Sequence, residues 1–91
     1  MAIGVLFEMP GVTQEQYDEV IQKLEDAGEG MPPGRIYHVS GPTEDGWRVV
    51  DVWESQEQFE RFGQTLMPLL EETGFPSFEP ELCPVHNVIV G

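Results

Sequence analysis

A chain of 91 residues is expected to form one domain, residues 1–91, with a core that is only just adequate, because domains this small bury roughly 60% of the surface their unfolded chains expose. Seventeen acidic residues against four basic ones (Lys23, Arg35, Arg48, Arg61) leave a formal net charge of −13. That argues against nucleic acid and anionic membranes as partners, which are held chiefly by Lys and Arg, and leaves either a solvated soluble surface or a patch for a basic partner.

No apolar run approaches the ~18 residues of a membrane span, and no basic-then-apolar leader opens the chain. The single cysteine, Cys83, supports neither an internal disulfide nor a CxxC metal site. The expectation is a reduced, cytoplasmic protein.

Ala2 to Met9 reads as a strand buried on both sides, with Ile3, Val5, Phe7 and Met9 on one face and Gly4, Leu6 and Glu8 on the other. Pro10-Gly11 ends it. Thr13 and Gln16 form a capping box that opens a helix, along which Tyr17, Val20, Ile21 and Leu24 share a face. The helix should end near Ala27, with Gly28 in the left-handed C′ position. Glu29 to Gly34, carrying Pro32-Pro33, is a turn-rich connector. Arg35 to Ser40 is the second strand, with Ile36, His38 and Ser40 on one face and Arg35, Tyr37 and Val39 on the other. Gly41 to Gly46 closes a hairpin into an antiparallel third strand.

Gly46 to Ser55 is the most strand-like stretch of the chain, rich in β-branched and aromatic residues. Trp47, Val49, Asp51 and Trp53 point one way, and Arg48, Val50, Val52 and Glu54 the other. The second set, apolar at its centre, is expected to pack beneath the helices, leaving both tryptophans on the opposite face.

Ser55 and Gln58 repeat the capping-box pattern, and Phe59, Phe62, Leu66, Leu69 and Leu70 make the apolar stripe of a second helix. Pro68 predicts a kink or break around Thr65 to Met67, since proline removes one backbone bond and crowds the preceding turn. Gly74 should stop the helix. Phe75 to Pro84 is an extended segment, and Pro84 to Val90 a last strand.

The order β-α-β-β-α-β predicts an α+β, ferredoxin-like fold: a four-stranded antiparallel sheet with both helices on one face. The other face would be bare, and a bare apolar face predicts a homodimer built through the sheet, because monomers rarely expose such a patch.

This pattern resembles the dimeric α+β barrel superfamily, which includes the antibiotic-biosynthesis monooxygenase-like domains. The likeness lies in Met9-Pro10-Gly11-Val12-Thr13-Gln14-Glu15-Gln16-Tyr17 at the entry to helix one, in Gly46 to Glu54 running into Ser55-Gln56-Glu57-Gln58-Phe59, and in Leu66-Met67-Pro68. The resemblance implies a cavity between sheet and helices in which relatives act as cofactor-free oxygenases on aromatic polyketides, isomerases of small lactones or haem degraders, or have no known reaction. The haem-degrading branch would want an asparagine on the first strand and a histidine on the second helix, and this chain has neither. Oxygenase members use Trp, Tyr, His, Asn and Arg side chains; types present here include Tyr37, His38, Trp47, Trp53, His86 and Asn87.

From the residues themselves, His38 is the first candidate for acid-base chemistry, its ordinary pKa lying near neutrality, with Asp51 on the adjoining strand able to orient it. Asp51 is otherwise a structural carboxylate for a nearby Tyr or Arg. Trp47 and Trp53 either stack on a flat ligand or pack a dimer core. Glu8, His38, Asp51 and His86 are the only metal set the composition offers, and they lack any ligand spacing. Cys83 has no basic neighbour to activate it. Nothing suggests a nucleotide or other cofactor.

Two function classes stand. One is a cofactor-independent monooxygenase or isomerase of a small aromatic or lactone-like metabolite, with His38 and Asp51 catalytic and Tyr37, Trp47, Trp53, His86 and Asn87 available to the ligand. The other is a non-catalytic ligand-binding or interaction protein with a filled lumen.

Overall fold

The computed structural model describes residues 1–76 and 78–91. Its elements are β1 (Ile3–Pro10), α1 (Gln14–Asp26), β2 (Arg35–Pro42), β3 (Gly46–Trp53), α2 (Gln56–Glu72) and β4 (Glu81–Pro84). The strands form one sheet in the order β2-β3-β1-β4 with every neighbouring pair antiparallel. This is the ferredoxin-like arrangement.

The helix ends follow from local chemistry. Thr13 accepts from the Gln16 backbone N–H, and the Gln16 side chain bonds the Thr13 N–H in return. Ser55 caps α2 through the Gln58 N–H, but the Gln58 side chain meets the Ser55 hydroxyl, so the second box closes by a different bond. Both helices stop in Schellman motifs. Gly28 (φ 78°) returns its N–H to Glu25 and Glu29 to Leu24; Gly74 (φ 78°) does so to Glu71, and Phe75 to Leu70. Between them, α2 runs unbroken through Pro68, so the expected break is absent: a lone proline removes one bond, while Phe62 and Leu70 on either side of it are buried in the core.

The faces of β3 are the reverse of the sequence expectation. Trp47, Val49, Asp51 and Trp53 lie under the helices with Ile3, Val5, Phe7 and Met9 of β1, and Trp53 is fully buried against Phe59 and Phe62, ring centroids 5.6 and 5.3 Å away. Alternation gives two faces but does not say which is inner. Large aromatic side chains fill the wide gap between sheet and helix, and two indoles of about 150–250 Å² each make several kcal/mol of burial at ~25 cal/mol/Å².

The opposite face carries Tyr37, Val39 and Val50, with Val39 64% exposed. Leu6 and Val52 lie between them, and an Arg48–Glu8 ion pair stands at one end.

Gly46 is required where β3 starts: a Cβ there would lie 2.2 Å from the Met9 carbonyl oxygen. The last strand is shorter and earlier than expected. β4 occupies Glu81–Pro84, and beyond Val85, whose N–H bonds the Ala2 carbonyl, the chain has no regular structure to Gly91. The physical reason is that β1 begins at Ile3, so an antiparallel neighbour passes its end at that point.

Candidate functional site

Four side chains from three elements form a continuous hydrogen-bonded row on the helix side of the sheet. Asp51 and Trp53, two apart on β3, share that face, and the Trp53 indole N–H donates to Asp51 Oδ2 at 3.2 Å. His38 lies directly across from Asp51 in the β2–β3 register and meets its Oδ1 through Nδ1 at 2.6 Å. Tyr17, on the apolar stripe of α1, places its hydroxyl 2.5 Å from His38 Nε2, its ring almost parallel to the imidazole.

The roles follow from donor chemistry. A carboxylate only accepts, so Nδ1 carries the hydrogen; in the neutral ring Nε2 is then the acceptor and Tyr17 donates. Asp51 is 3% exposed with both oxygens engaged, as a buried carboxylate requires.

The row opens on a small cavity of about 60 Å³ between sheet and helices. Tyr17, His38, Asp51 and Arg35 supply its polar wall; Phe7, Val49, Phe62 and Leu66 are among its apolar lining. Arg35 reaches it through an irregularity. Arg35 and His38 are three residues apart, and a regular strand would put them on opposite faces, but the β2–β3 register shifts between Arg35 and Tyr37, so that Arg35 pairs with Trp53 and His38 with Asp51. A bulge of this kind re-aims a side chain, and the expectation that Arg35 shares a face with Tyr37 and Val39 is corrected by it.

The structure thus brings His38 and Asp51 together and buries Trp53 behind them as a hydrogen-bond donor. Trp47 lies beside Tyr17, ring centroids 5.2 Å apart, its own indole N–H buried without a partner among the described residues. Tyr37 points to the bare face of the sheet, opposite Val52, and His86 and Asn87 are exposed in the segment after β4. Among the described residues no three His, Cys, Asp or Glu side chains converge to hold a metal, and no helix is long and apolar enough to cross a membrane. Cys83 is exposed.

Sequence reasoning missed Tyr17 and Arg35. A tyrosine in an apolar helical stripe brings a hydroxyl that needs a partner once buried, and that signal was present. Arg35 had none, since a one-residue bulge leaves no mark on strand alternation.

Comparison with solved structures returns the same architecture. A Chloroflexus aurantiacus protein assigned as an antibiotic biosynthesis monooxygenase matches over 100% of both chains at 20% identity, with a TM-score of 0.66. SnoaB, a cofactor-independent oxygenase from Streptomyces nogalater, matches at 14% identity over 97% of this chain and 95% of its own, with a TM-score of 0.67. A conserved protein from Methanosarcina mazei matches at 17% identity and 0.55 over 91% of this chain and 89% of its own.

The fold is the ferredoxin-like α+β arrangement that these proteins share. No family model matches the chain, and no curated protein does. Within this fold, the row from Tyr17 to Trp53 and the cavity beside it are built from the inner faces of β2 and β3 and from α1.

Proposed function

We propose that this chain is a cofactor-independent enzyme whose first chemical step is removal of a proton from a small aromatic or lactone-like substrate. The observation that carries it is the row Tyr17–His38–Asp51–Trp53 opening on a largely apolar cavity. In it, Tyr17 passes its proton to His38 Nε2 as its oxygen takes one from the substrate, and Asp51 stabilises the imidazolium that results. The substrate anion then either takes a proton back at another carbon, an isomerisation, or reacts with dioxygen, an oxygenation. The resemblance to SnoaB in fold supports the second outcome.

The same proposal includes a homodimer with the bare sheet faces together, supported by the exposure of Tyr37, Val39 and Val50.

The test is exchange of substrate C–H for deuterium in D2O, followed by NMR, and oxygen uptake, across phenolic polycyclic ketones and unsaturated lactones. Exchange that disappears in Tyr17→Phe and His38→Gln is the expected result; turnover untouched by both substitutions would end the reading.

One observation favours a second reading, a non-catalytic ligand-binding or interaction protein. The cavity holds about 60 Å³, against the ~300–1,000 Å³ typical of small-molecule sites. Binding without exchange or uptake in the same array distinguishes it.

A further inference from the structure

The four basic residues face an excess of carboxylates, and three of them are spent on one each. Lys23 lies 2.9 Å from Glu72, Arg48 2.5 Å from Glu8 and Arg61 2.7 Å from Glu57. Among the described residues the exception is Arg35, whose guanidinium bonds only the Gly30 carbonyl, at 3.0 Å. In a chain of net charge −13, a cation without a carboxylate is the uncommon case. It is also the one that lines the cavity holding Tyr17 and His38.

The bulge in β2 turns Arg35 to this side of the sheet, away from the bare face. Among the described residues Asp51 is the one carboxylate lining the same cavity, and its two oxygens are already taken by His38 and Trp53. Guanidinium carries five N–H donors in a planar fork suited to two oxygens at once, and among the described residues its one side-chain bond is to Gly30.

We propose that Arg35 is the receptor for an anionic oxygen on the ligand, so that the molecule this cavity takes is a small aromatic bearing a carboxylate. This rests on the ligand cavity of the proposed function and deepens it. Arg35 holds the anionic oxygen in a bidentate, charge-assisted contact and fixes the ring beside Tyr17 and His38. The acidic outer surface repels anions in general, so discrimination for one falls to this side chain.

Benzoate and its neutral isostere benzamide, titrated into 15N-labelled protein and followed by NMR, test the assignment. Benzoate should shift the Arg35 Nε–H resonance and those of Tyr17 and His38, and bind at least about tenfold more tightly than benzamide. Arg35→Gln should erase that preference while leaving benzamide binding intact, and Arg35→Lys, which keeps the charge without the fork, should restore part of it.

Equal affinities in the wild-type protein, or a preference that survives Arg35→Gln, would show that Arg35 merely braces the Gly30 turn; the cavity reading would stand and this inference would fall. If neither probe moves cavity resonances, this inference falls, and the proposed function is judged by its own exchange and oxygen-uptake assays. Should Arg35→Gln not fold, the wild-type preference and the Arg35 Nε–H shift decide alone.

Discussion

Asp51 is the point at which stability and chemistry can be separated by one atom. It accepts from two donors in different surroundings: Trp53 is fully buried, while the His38 side chain is 23% exposed. Asp51→Ala orphans both. A buried donor left unpaired costs about 1–3 kcal/mol, with Trp53 near the upper end and His38, which water can partly reach, near the lower, so a loss of about 3–4 kcal/mol is expected.

Asp51→Asn keeps the shape but offers one acceptor and one donor. The indole N–H can only donate, so the asparagine oxygen must turn to Trp53 and its NH2 group to His38. His38 Nδ1 then has to accept, its hydrogen moves to Nε2, and Tyr17 changes from donor to acceptor. Every bond is still made, so exchanging charge-assisted for neutral hydrogen bonds should cost only about 1–2 kcal/mol. The imidazole, however, can no longer take a proton from Tyr17.

Urea denaturation at fixed protein concentration measures the two stabilities, and 15N shifts of the imidazole nitrogens report the tautomer. A difference of about 2 kcal/mol moves the urea midpoint of a small domain by on the order of 1 M, so the variants are well resolved. An Asp51→Ala loss below about 1 kcal/mol, or an Asp51→Asn protein whose Nδ1 keeps its hydrogen, would refute the reasoning.

The two tryptophans should respond unequally. Trp47→Phe removes a buried N–H that has no partner among the described residues and is expected to stay within about 1 kcal/mol of wild type, whereas Trp53→Phe leaves Asp51 Oδ2 without its donor and opens space in the core, costing about 2–4 kcal/mol; chemical denaturation compares them directly. Val39→Asp combined with Val50→Asp puts charge on the bare face and should convert the proposed dimer to a folded monomer, read by sedimentation with circular dichroism as the control; unchanged mass would remove that face from the interface. Gly46→Ala forces a methyl to within 2.2 Å of the Met9 carbonyl oxygen and should cost about 2–4 kcal/mol through displacement of β3 from β1, whereas Gly63→Ala, which meets nothing within 4 Å, is the helical control and should be neutral or stabilising.

Much of the architecture was legible in the sequence. Thr13 and Gln16, Gly28 and Gly74 marked helix ends that the structure places there, because caps are local chemistry between residues a few positions apart. His38 and Asp51 were legible as a pair for a related reason: a hairpin brings its strands into antiparallel register. Where the reading erred, distant contacts decided. Pro84 to Val90 has the alternation of a strand, yet a strand needs a neighbour, and β1 runs out at Ile3. Pro68 carries the mark of a helix break, yet the packing of α2 on the sheet outweighs one missing bond.

The sequence by itself determined the element order, and with it a ferredoxin-like sheet, because hydrophobic period and capping chemistry act over a handful of residues. Only the tertiary structure decided which face of β3 is buried, that Tyr17 meets His38, and that Arg35 turns toward the cavity. Those three depend on how far the helices stand from the sheet and on a one-residue slip in strand register, and neither quantity is written in any short stretch of the chain.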